Sequence, residues 1–357
     1  MRILSVVGAR PQFVKLAPIA KATVGRAEHI VVHTGQHYDE LMSDVFFRDL
    51  GIPAPDVNLE VGSGHHGAQT GAMLAGLEPV LEKYRPDWVL VYGDTNSTLA
   101  AAVAAVKMHI PVAHLEAGLR SFNRRMPEEH NRVLTDHAAD LLLAPTEVAM
   151  SHLAHEGLAE RSVLVGDVMT DVLYDVRDGL TSEAPALPSG IELGEYYVST
   201  LHRPDNTDNP ERLAAIISQL AALDRPVLLL THPRLASLAA QHGIELSKGA
   251  IRPIAPLAYP QLVNAVMNSA GVITDSGGLQ KEAFLLRVPC TTIRPETEWV
   301  ETVELGWNVL VSEELDRIPD AVHRATPDPT DLQPYGDGQA AQRVVTELLT
   351  VNDGNGG

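Results

Sequence analysis

Aromatic residues are scarce in this 357-residue chain, where Phe, Trp and Tyr together make up 4%. The apolar content therefore falls on Ala, Val, Leu and Ile, as expected for buried parallel strands covered by alanine-rich helices. Cysteine is scarcer still, because Cys290 is the one cysteine in the sequence. An internal disulfide is thus excluded, and a lone cysteine in an apolar run predicts a reducing, cytoplasmic compartment.

Basic residues are also few, with 27 Lys and Arg against 46 Asp and Glu and a formal net charge of −19. Nucleic acids and anionic membranes bind dense basic surfaces, so the charge balance argues against both as partners. No apolar run is long enough to span a bilayer. The first apolar run is broken at once by Gly8 and Arg10, too early for a signal peptide. The sequence therefore predicts a soluble protein, with a small anionic ligand possible where basic side chains gather.

Signals for a metal or a dinucleotide cofactor are missing. His33 and His37 have a His-x-x-x-His spacing, but they lie on either side of a strand end and Gly35, so no helix would align them. No cluster of cysteine ligands is present, and no Gly-x-Gly-x-x-Gly follows the first strand. We therefore predict no metal site and no cofactor.

What the chain does contain is an alternation of short apolar runs with helical stretches, which predicts α/β units with parallel strands and right-handed crossovers. The length predicts two domains, and the Gly- and Pro-containing stretch 178–194 is the predicted linker. The predicted strands are 3–7, 29–34, 88–92, 111–116, 141–143, 197–201, 227–230, 251–254, 272–274 and 289–293. Other predictions are a helix ending at Leu50, a mobile loop at 62–71, a final helix at 339–349 and a disordered tail at 351–357.

Acidic side chains follow two neighbouring predicted strands of the first half. Asp94 follows the strand that ends at Tyr92, and Glu116 ends the next strand. Ligands of open α/β sheets bind beyond the carboxyl ends of the strands, so both acids are candidates for chemistry. Structural alternatives remain open: Asp94 could cap the following helix, and Glu116 could pair with Arg120. Glu128 lies in the first turn of a predicted helix, where a carboxylate is stabilised without any catalytic role.

The second half carries a candidate phosphate site. Ser276, Gly277 and Gly278 open a helix directly after a strand, where free N–H groups and small residues favour an anion. The same pattern also suits an ordinary capped helix start. Other strands of this half end in His202, His232 and Arg234, and arginine suits two-pronged phosphate contacts. His202 could equally be a buried histidine of the core.

Seven short motifs, in this order along residues 1 to about 311, resemble those of the non-hydrolysing UDP-N-acetylglucosamine 2-epimerases and their close relatives. Each motif is weak alone, but the ordered set is specific. The motifs are Gly8-Ala9-Arg10-Pro11, Gly35-Gln36-His37, Gly93-Asp94-Thr95, His114-Leu115-Glu116-Ala117-Gly118-Leu119-Arg120, Pro127-Glu128-Glu129-His130-Asn131-Arg132, Gly166-Asp167-Val168 and Asp275-Ser276-Gly277-Gly278-Leu279-Gln280.

The resemblance implies a fold and an assembly. The expected fold is α/β, with two Rossmann-like domains of the glycosyltransferase-B type and an interdomain cleft. The N-terminal domain would comprise residues 1–180, with the final helix, 338–350, packing back on it. Residues 181–337 would form the UDP-binding domain. Relatives also imply a homodimer.

The resemblance further implies the reaction, in which anti elimination of UDP gives 2-acetamidoglucal and re-addition inverts C2. Site residues follow by similarity. The acid–base roles fall to Asp94, Glu116 and Glu128. The diphosphate would be stabilised by Arg10, Lys15 and His202. Ser276 and Gly277 would bind phosphates, and Glu282 would bind the ribose hydroxyls.

The sequence departs from the better-known bacterial epimerases at Gln12, Phe13, Lys281 and the pair Tyr38-Asp39. In the bacterial enzymes, the loop that corresponds to Tyr38-Asp39 contributes to the binding site of a second, activating UDP-sugar. Other segments look more like a branch that includes 2-epimerases of UDP-2,3-diacetamido-glucuronic acid. The expected substrate is UDP-N-acetylglucosamine, and that modified UDP-sugar is the alternative. Hydrolysis to N-acetylmannosamine, a glycosyltransferase of the same fold and a non-catalytic UDP-sugar binding protein also stay open.

Overall fold

The computed structural model describes residues 1–36, 52, 54–180, 185 and 187–354. Its residues group into two compact units. Unit 1 comprises Met1–Tyr174 and Gln333–Gly357, and unit 2 comprises Asp175–Leu332. His37 and the predicted helix ending at Leu50 lie outside the described residues.

Unit 1 is built on a parallel sheet, with seven strands in the described ranges and the order β3-β2-β1-β4-β5-β6-β7. Both faces are buried: Ile3 and Leu90 contribute to the core on one face, and Leu4 and Val89 to the core on the other. Such strands read as continuous apolar runs, which is why most were predictable. The strands are β1 Arg2–Val7, β2 Glu28–His33, β3 Val57–Asn58, β4 Trp88–Tyr92, β5 Val112–Leu115, β6 Leu141–Ala144 and β7 Ser162–Leu164.

Unit 2 repeats the architecture. Its sheet, six-stranded over the residues described, has the order β10-β9-β8-β11-β12-β13, the same relative winding as in unit 1. All its paired strands run parallel. The strands are β8 Tyr197–Thr200, β9 Val227–Leu230, β10 Ile251–Ile254, β11 Gly271–Thr274, β12 Cys290–Thr292 and β13 Asn308–Leu310.

The helices cover the sheets, and none in the described part of the chain is long and apolar enough to cross a bilayer. The predicted loop at 62–71 is wrong from residue 66 onward, because a helix begins at His66. Buried Gln69 anchors that helix by donating hydrogen bonds to the carbonyls of Gly62 and Gln36. The helices are α1 Arg10–Thr23, α2 His66–Tyr84, α3 Asn96–Lys107, α4 Pro127–Ala138, α5 Glu147–His155, α6 Val168–Gly179, α7 Pro204–Thr207, α8 Pro210–Ala221, α9 Pro233–Gln241, α10 Tyr259–Met267, α11 Gly277–Leu285, α12 Val300–Glu304, α13 Ile318–Val322 and α14 Ala340–Gly354.

Helix α14 belongs to unit 1. Its apolar face, including Val344 and Leu348, joins the core formed by α1 and the sheet. Trp88 Nε1 donates to the carbonyl of Leu348 at 3.1 Å. The carboxylate of Asp171 accepts hydrogen bonds from the backbone N–H groups of Ala340 and Ala341, at 3.0 and 2.8 Å. The helix continues to Gly354, past residue 351, where the sequence predicted disorder to begin.

We expect Asp171→Ala to lower the free energy of unfolding by about 1–2 kcal/mol, because two N–H groups at the start of α14 lose their acceptor. Amide hydrogen exchange should rise most in α14. Asp178→Asn, at the exposed end of α6, is the control and should leave both quantities nearly unchanged, since its pairing with Arg177 is at the surface. An unchanged exchange rate in α14 for Asp171→Ala would contradict the capping role.

Candidate active site

Each sheet has a switch point where the winding of the chain reverses, between β1 and β4 in unit 1 and between β8 and β11 in unit 2. Ligands of open α/β folds bind beyond the strand ends at such points. In unit 1, the turns after β4 and β5 carry Asp94 and Glu116. Glu116 has φ of +75°, a left-handed conformation that a residue with a side chain seldom adopts. The backbone therefore holds this carboxylate in an unusual orientation.

Lys15 pairs directly with Glu116. Its Nζ contacts Glu116 Oε2, and each of the two side chains is only 14% exposed. Burial by itself would lower the pKa of Lys15, but the charge and hydrogen bond of Glu116 outweigh it and raise the pKa. A methyl group on Gly93 would lie 3.1 Å from Glu116 Oε2 and 3.4 Å from Lys15 Nζ, so the ion pair lies against the Gly93 backbone.

Asp94 does not cap helix α3, so that interpretation is wrong. Thr95 is the capping residue, and its Oγ1 accepts a hydrogen bond from the N–H of Thr98. The Asp94 carboxylate instead forms an ion pair with Arg132 of α4. The backbone of the turn is also held, because Asn131 Nδ2 donates to the Asp94 carbonyl at 2.9 Å. Asp94 and Glu116 are thus paired with different cations, and Arg132 also contacts Glu129 at 3.1 Å.

Glu128 and Glu129 are neighbours in the first turn of α4 but have different surroundings. Glu128 is exposed. Glu129 is 5% exposed, and it accepts hydrogen bonds from Ser121 N and Oγ and from Phe122 N, all at 2.9 Å. Burial alone would raise the pKa of Glu129, but these donors and Arg132 lower it. Glu129 thereby fixes the loop that precedes α4, while Glu128 stays accessible.

The alternative pairing of Glu116 with Arg120 is also wrong. Arg120 Nη1 lies 2.7 Å from Asp136 Oδ2, and its Nε and Nη2 donate to the Glu156 carboxylate. Arg120 is buried and is therefore part of the support behind the site.

In unit 2, Ser276 caps helix α11, with its Oγ accepting from Leu279 N at 3.4 Å. The capped-start interpretation is therefore correct as local geometry, and it is compatible with anion binding. A methyl group added to Gly278 would meet nothing within 4 Å, so the first turn of α11 has open space beside it. Gly277 faces the Arg294–Glu298 pair, whose two hydrogen bonds measure 2.9 and 3.1 Å.

Asp275 organises the His202 segment. This carboxylate is fully buried, and it accepts hydrogen bonds from His202 N, Arg203 N and Asn206 Nδ2 at 3.0–3.2 Å. The same carboxylate lies 2.9 Å from His202 Nδ1. Burial alone would raise the pKa of Asp275, but His202 and the other donors lower it. The His202 side chain is 53% exposed, so it is not a core histidine, and its Nε2 is the nitrogen left for a ligand.

Four predicted site residues remain, three in unit 2 and Arg10 in unit 1. Glu282 of α11 accepts a hydrogen bond from Tyr259 Oη at 2.9 Å. His232 caps α9, and Arg234 pairs with Asp208. Arg10 begins α1, and its side chain is outside the described part of the structure.

The sequence reasoning missed Arg132 and Asp275 as partners of the candidate acids and of His202. A weak signal existed for Arg132, which lies one helical turn after Glu129 on α4 and so on the same face. In the sequence, Asp275 stands out only as the first residue of the motif that contains Ser276 and Gly277. Among the residues that the structure describes, no group of three or more His, Cys, Asp or Glu side chains is arranged to hold a metal ion.

Comparison with known proteins identifies similar sequences over the whole chain. The family model described as UDP-N-acetylglucosamine 2-epimerase matches residues 21–349. The chain is 45% identical to the UDP-2,3-diacetamido-2,3-dideoxy-D-glucuronate 2-epimerase of Pseudomonas aeruginosa, covering 98% of this chain and 100% of that protein. It is 40% identical to the UDP-N-acetylglucosamine 2-epimerase of Methanocaldococcus jannaschii, covering 98% and 99%.

Solved structures match over the same extent. The M. jannaschii UDP-GlcNAc 2-epimerase in complex with UDP-GlcNAc and UDP superposes with a TM-score of 0.82 at 38% identity, covering 98% of this chain and 100% of that one. The Neisseria meningitidis enzyme bound to UDP-GlcNAc gives 0.84 at 27% identity, with coverage of 98% and 100%. The predicted fold, α/β with two Rossmann-like domains of the glycosyltransferase-B type, is confirmed.

Proposed function

Because the chain belongs to the UDP-N-acetylglucosamine 2-epimerase family, we propose that it interconverts UDP-N-acetylglucosamine and UDP-N-acetylmannosamine. In the proposed elimination, a carboxylate takes the C2 proton and the C1–O bond breaks with its electron pair leaving on UDP. The sugar is left as 2-acetamidoglucal, with a double bond between C1 and C2. In the return step the UDP oxygen re-forms the bond to C1 and a proton is delivered to the opposite face of C2.

Unit 1 supplies the acid–base groups in this proposal, Asp94, Glu116 and Glu128. One observation carries it: the two acids on adjacent strand ends are each paired with a cation, Glu116 with Lys15 and Asp94 with Arg132, which also contacts Glu129. An adjacent cation favours the ionised form of a carboxylate, which is the form that accepts a proton. A protein that only bound UDP would have no use for such groups.

Unit 2 supplies most of the groups that we propose bind the diphosphate, and Arg10 and Lys15 come from unit 1. The start of α11, with Ser276, Gly277 and Gly278, offers free N–H groups and open space to an anion. His202 would donate a hydrogen bond from Nε2 to the departing diphosphate. Arg10, Lys15, His232 and Arg234 are proposed as further phosphate contacts, and Glu282 as the acceptor for the ribose hydroxyls. No cofactor takes part in this scheme.

Proton NMR in deuterated water tests the proposal. The purified protein with UDP-N-acetylglucosamine alone should produce UDP-N-acetylmannosamine, with deuterium at C2 of both sugars. Free N-acetylmannosamine with stoichiometric UDP would indicate a hydrolase. UDP release that requires an added acceptor sugar would indicate a glycosyltransferase, and no exchange at C2 with either substrate named here would refute the proposal.

A second substrate is favoured by the 45% identity to the P. aeruginosa enzyme. That candidate is UDP-2,3-diacetamido-2,3-dideoxyglucuronic acid, inverted at C2 by the same elimination and re-addition. Parallel incubations with each UDP-sugar would separate the two, because the true substrate should exchange its C2 proton with a kcat/KM at least tenfold higher.

We also propose that the enzyme acts as a cytoplasmic homodimer. The buried thiol of Cys290 supports a reducing compartment. Light scattering after size-exclusion chromatography should give twice the chain mass of 38.5 kDa.

A further inference from the structure

His114 lies on strand β5, two residues before Glu116, and its side chain is completely buried. Its Nδ1 lies 2.7 Å from Asp136 Oδ1, and its Nε2 lies 2.7 Å from the carbonyl oxygen of Gly93. A carbonyl oxygen can only accept a hydrogen bond, and so can an ionised carboxylate. If Asp136 is ionised, both ring nitrogens must donate and the imidazole must carry a positive charge.

Asp136 has the surroundings of an ionised carboxylate. Besides His114, it accepts a hydrogen bond from Gly118 N at 3.1 Å and lies 2.7 Å from Arg120 Nη1. Burial alone would raise the pKa of Asp136, but the charges and hydrogen bonds of His114 and Arg120 lower it. Glu156 pairs with the other face of Arg120 at 2.8 and 2.9 Å. Arg120 therefore gives Asp136 a buried cation that does not depend on the charge of His114, and Glu156, which also lies 3.1 Å from His137 Nε2, is the second anion of the cluster.

The hydrogen bond to Gly93 reaches the proposed active site. Gly93 immediately precedes Asp94 and adopts a left-handed φ of +62°. Its N–H donates to the Leu115 carbonyl at 3.0 Å, and its carbonyl receives His114 Nε2. Both backbone polar groups of Gly93 are thus tied to β5, the strand that leads into Glu116.

We propose that His114 is a positively charged positioning residue, with Asp136 as its counter-ion, that fixes the Asp94 turn relative to Glu116. The inference rests on the proposed function, in which both acids serve the same C2 carbon. A charge-assisted hydrogen bond to the Gly93 carbonyl is shorter and stronger than a neutral one, so it holds this turn more tightly. An apolar side chain would leave that carbonyl without its donor.

The charge can be tested without any substrate. In wild-type protein with ¹⁵N-labelled histidine, both ring nitrogens of His114 should show protonated shifts at pH 8, where exposed histidines are mostly neutral. The signals of the His114 ring nitrogens can be assigned because they are absent from the spectrum of the His114→Gln variant. A neutral His114 ring at pH 8 would overturn the proposal.

Two amide substitutions separate the two hydrogen bonds of the ring. The amide nitrogen of Gln corresponds in reach to Nε2, so His114→Gln keeps a donor for Gly93. The amide nitrogen of Asn corresponds to Nδ1, so His114→Asn keeps only the donor for Asp136. We expect His114→Asn to lower kcat by about 10²-fold with little change in KM, the loss typical of displaced catalytic groups. His114→Gln should stay within about tenfold of wild type.

A merely structural role for His114 predicts another pattern, in which both variants lose activity in proportion to their loss of thermal stability. Equal kcat values for the two variants would therefore contradict the proposal. If the wild-type enzyme epimerises neither UDP-sugar while the NMR spectrum shows a charged ring, the proposed function fails and the charge assignment stands. UDP binding, measured by calorimetry, should be unchanged in both variants. Unchanged binding would show that unit 2 is intact.

Discussion

Replacing Glu116 by Gln is expected to lower kcat by about 10²–10⁴-fold while the KM for the UDP-sugar changes little. The amide has nearly the same shape as the carboxylate but cannot take or return a proton, and proton transfer by a positioned side chain contributes a factor of this size. Lys15 would lose its ionic partner but would keep an oxygen to donate to. The measurement is the rate of C2 deuterium incorporation, followed by NMR.

Glu147→Gln is the control for this variant, because Glu147 is an exposed carboxylate of unit 1 in the first turn of α5. It should leave kcat within twofold of wild type. A Glu116→Gln enzyme with wild-type kcat and a raised KM would indicate that Glu116 binds the substrate and does not take part in proton transfer.

Replacing Asp275 by Asn is expected to reduce kcat by up to about 10⁴-fold, the loss seen when the orienting carboxylate behind the histidine of a Ser-His-Asp triad is replaced by an amide. The Asn side chain can present its amide N–H to His202 Nδ1, which favours the opposite tautomer and leaves Nε2 without a proton to donate. Departure of the diphosphate would then be slowed.

The same substitution should change stability. Because the pKa of Asp275 in the folded protein is below its ordinary 3.8, its stabilising contribution is present above about pH 3.8 and is lost as the pH falls through the folded-state value. Asp275→Asn should therefore lower the unfolding temperature at pH 7 and flatten its dependence on pH below 4. Asp205→Asn, an exposed carboxylate of the same segment, is the control. Wild-type kcat in Asp275→Asn would refute the orienting role.

Sequence patterns predicted the central strands of both sheets because these strands are buried on both faces and appear as continuous apolar runs. The strands that were missed, β3, β7 and β13, are two or three residues long and lie at the sheet edges. Such strands pair on one side only, so their sequences carry little apolar signal. The α2 start was missed for a different reason: buried hydrogen bonds of Gln69 stabilise a turn rich in glycine and histidine.

The candidate site shows where sequence reasoning ends. Asp94, Glu116 and His202 could be selected because strand ends deliver side chains to one edge of a sheet. Their partners could not, because Arg132 and Asp275 come from elements 38 and 73 residues away along the chain, and only the folded packing brings them into contact. Lys15 was expected to bind the diphosphate, and its contact with Glu116 joins α1 to the turn after β5, 101 residues further along the chain.

The return of α14 to unit 1 bears on how the protein forms at the ribosome. The residues of unit 2 emerge as one uninterrupted stretch, whereas unit 1 needs Trp88 and Val344, which emerge far apart in time. Domains generally acquire structure as they leave the tunnel, so unit 2 should be complete before the first half has its last helix. Until α14 is made, the apolar surface of α1 that it covers stays exposed to solvent. Chaperones that bind exposed apolar segments could therefore bind the nascent chain at this helix.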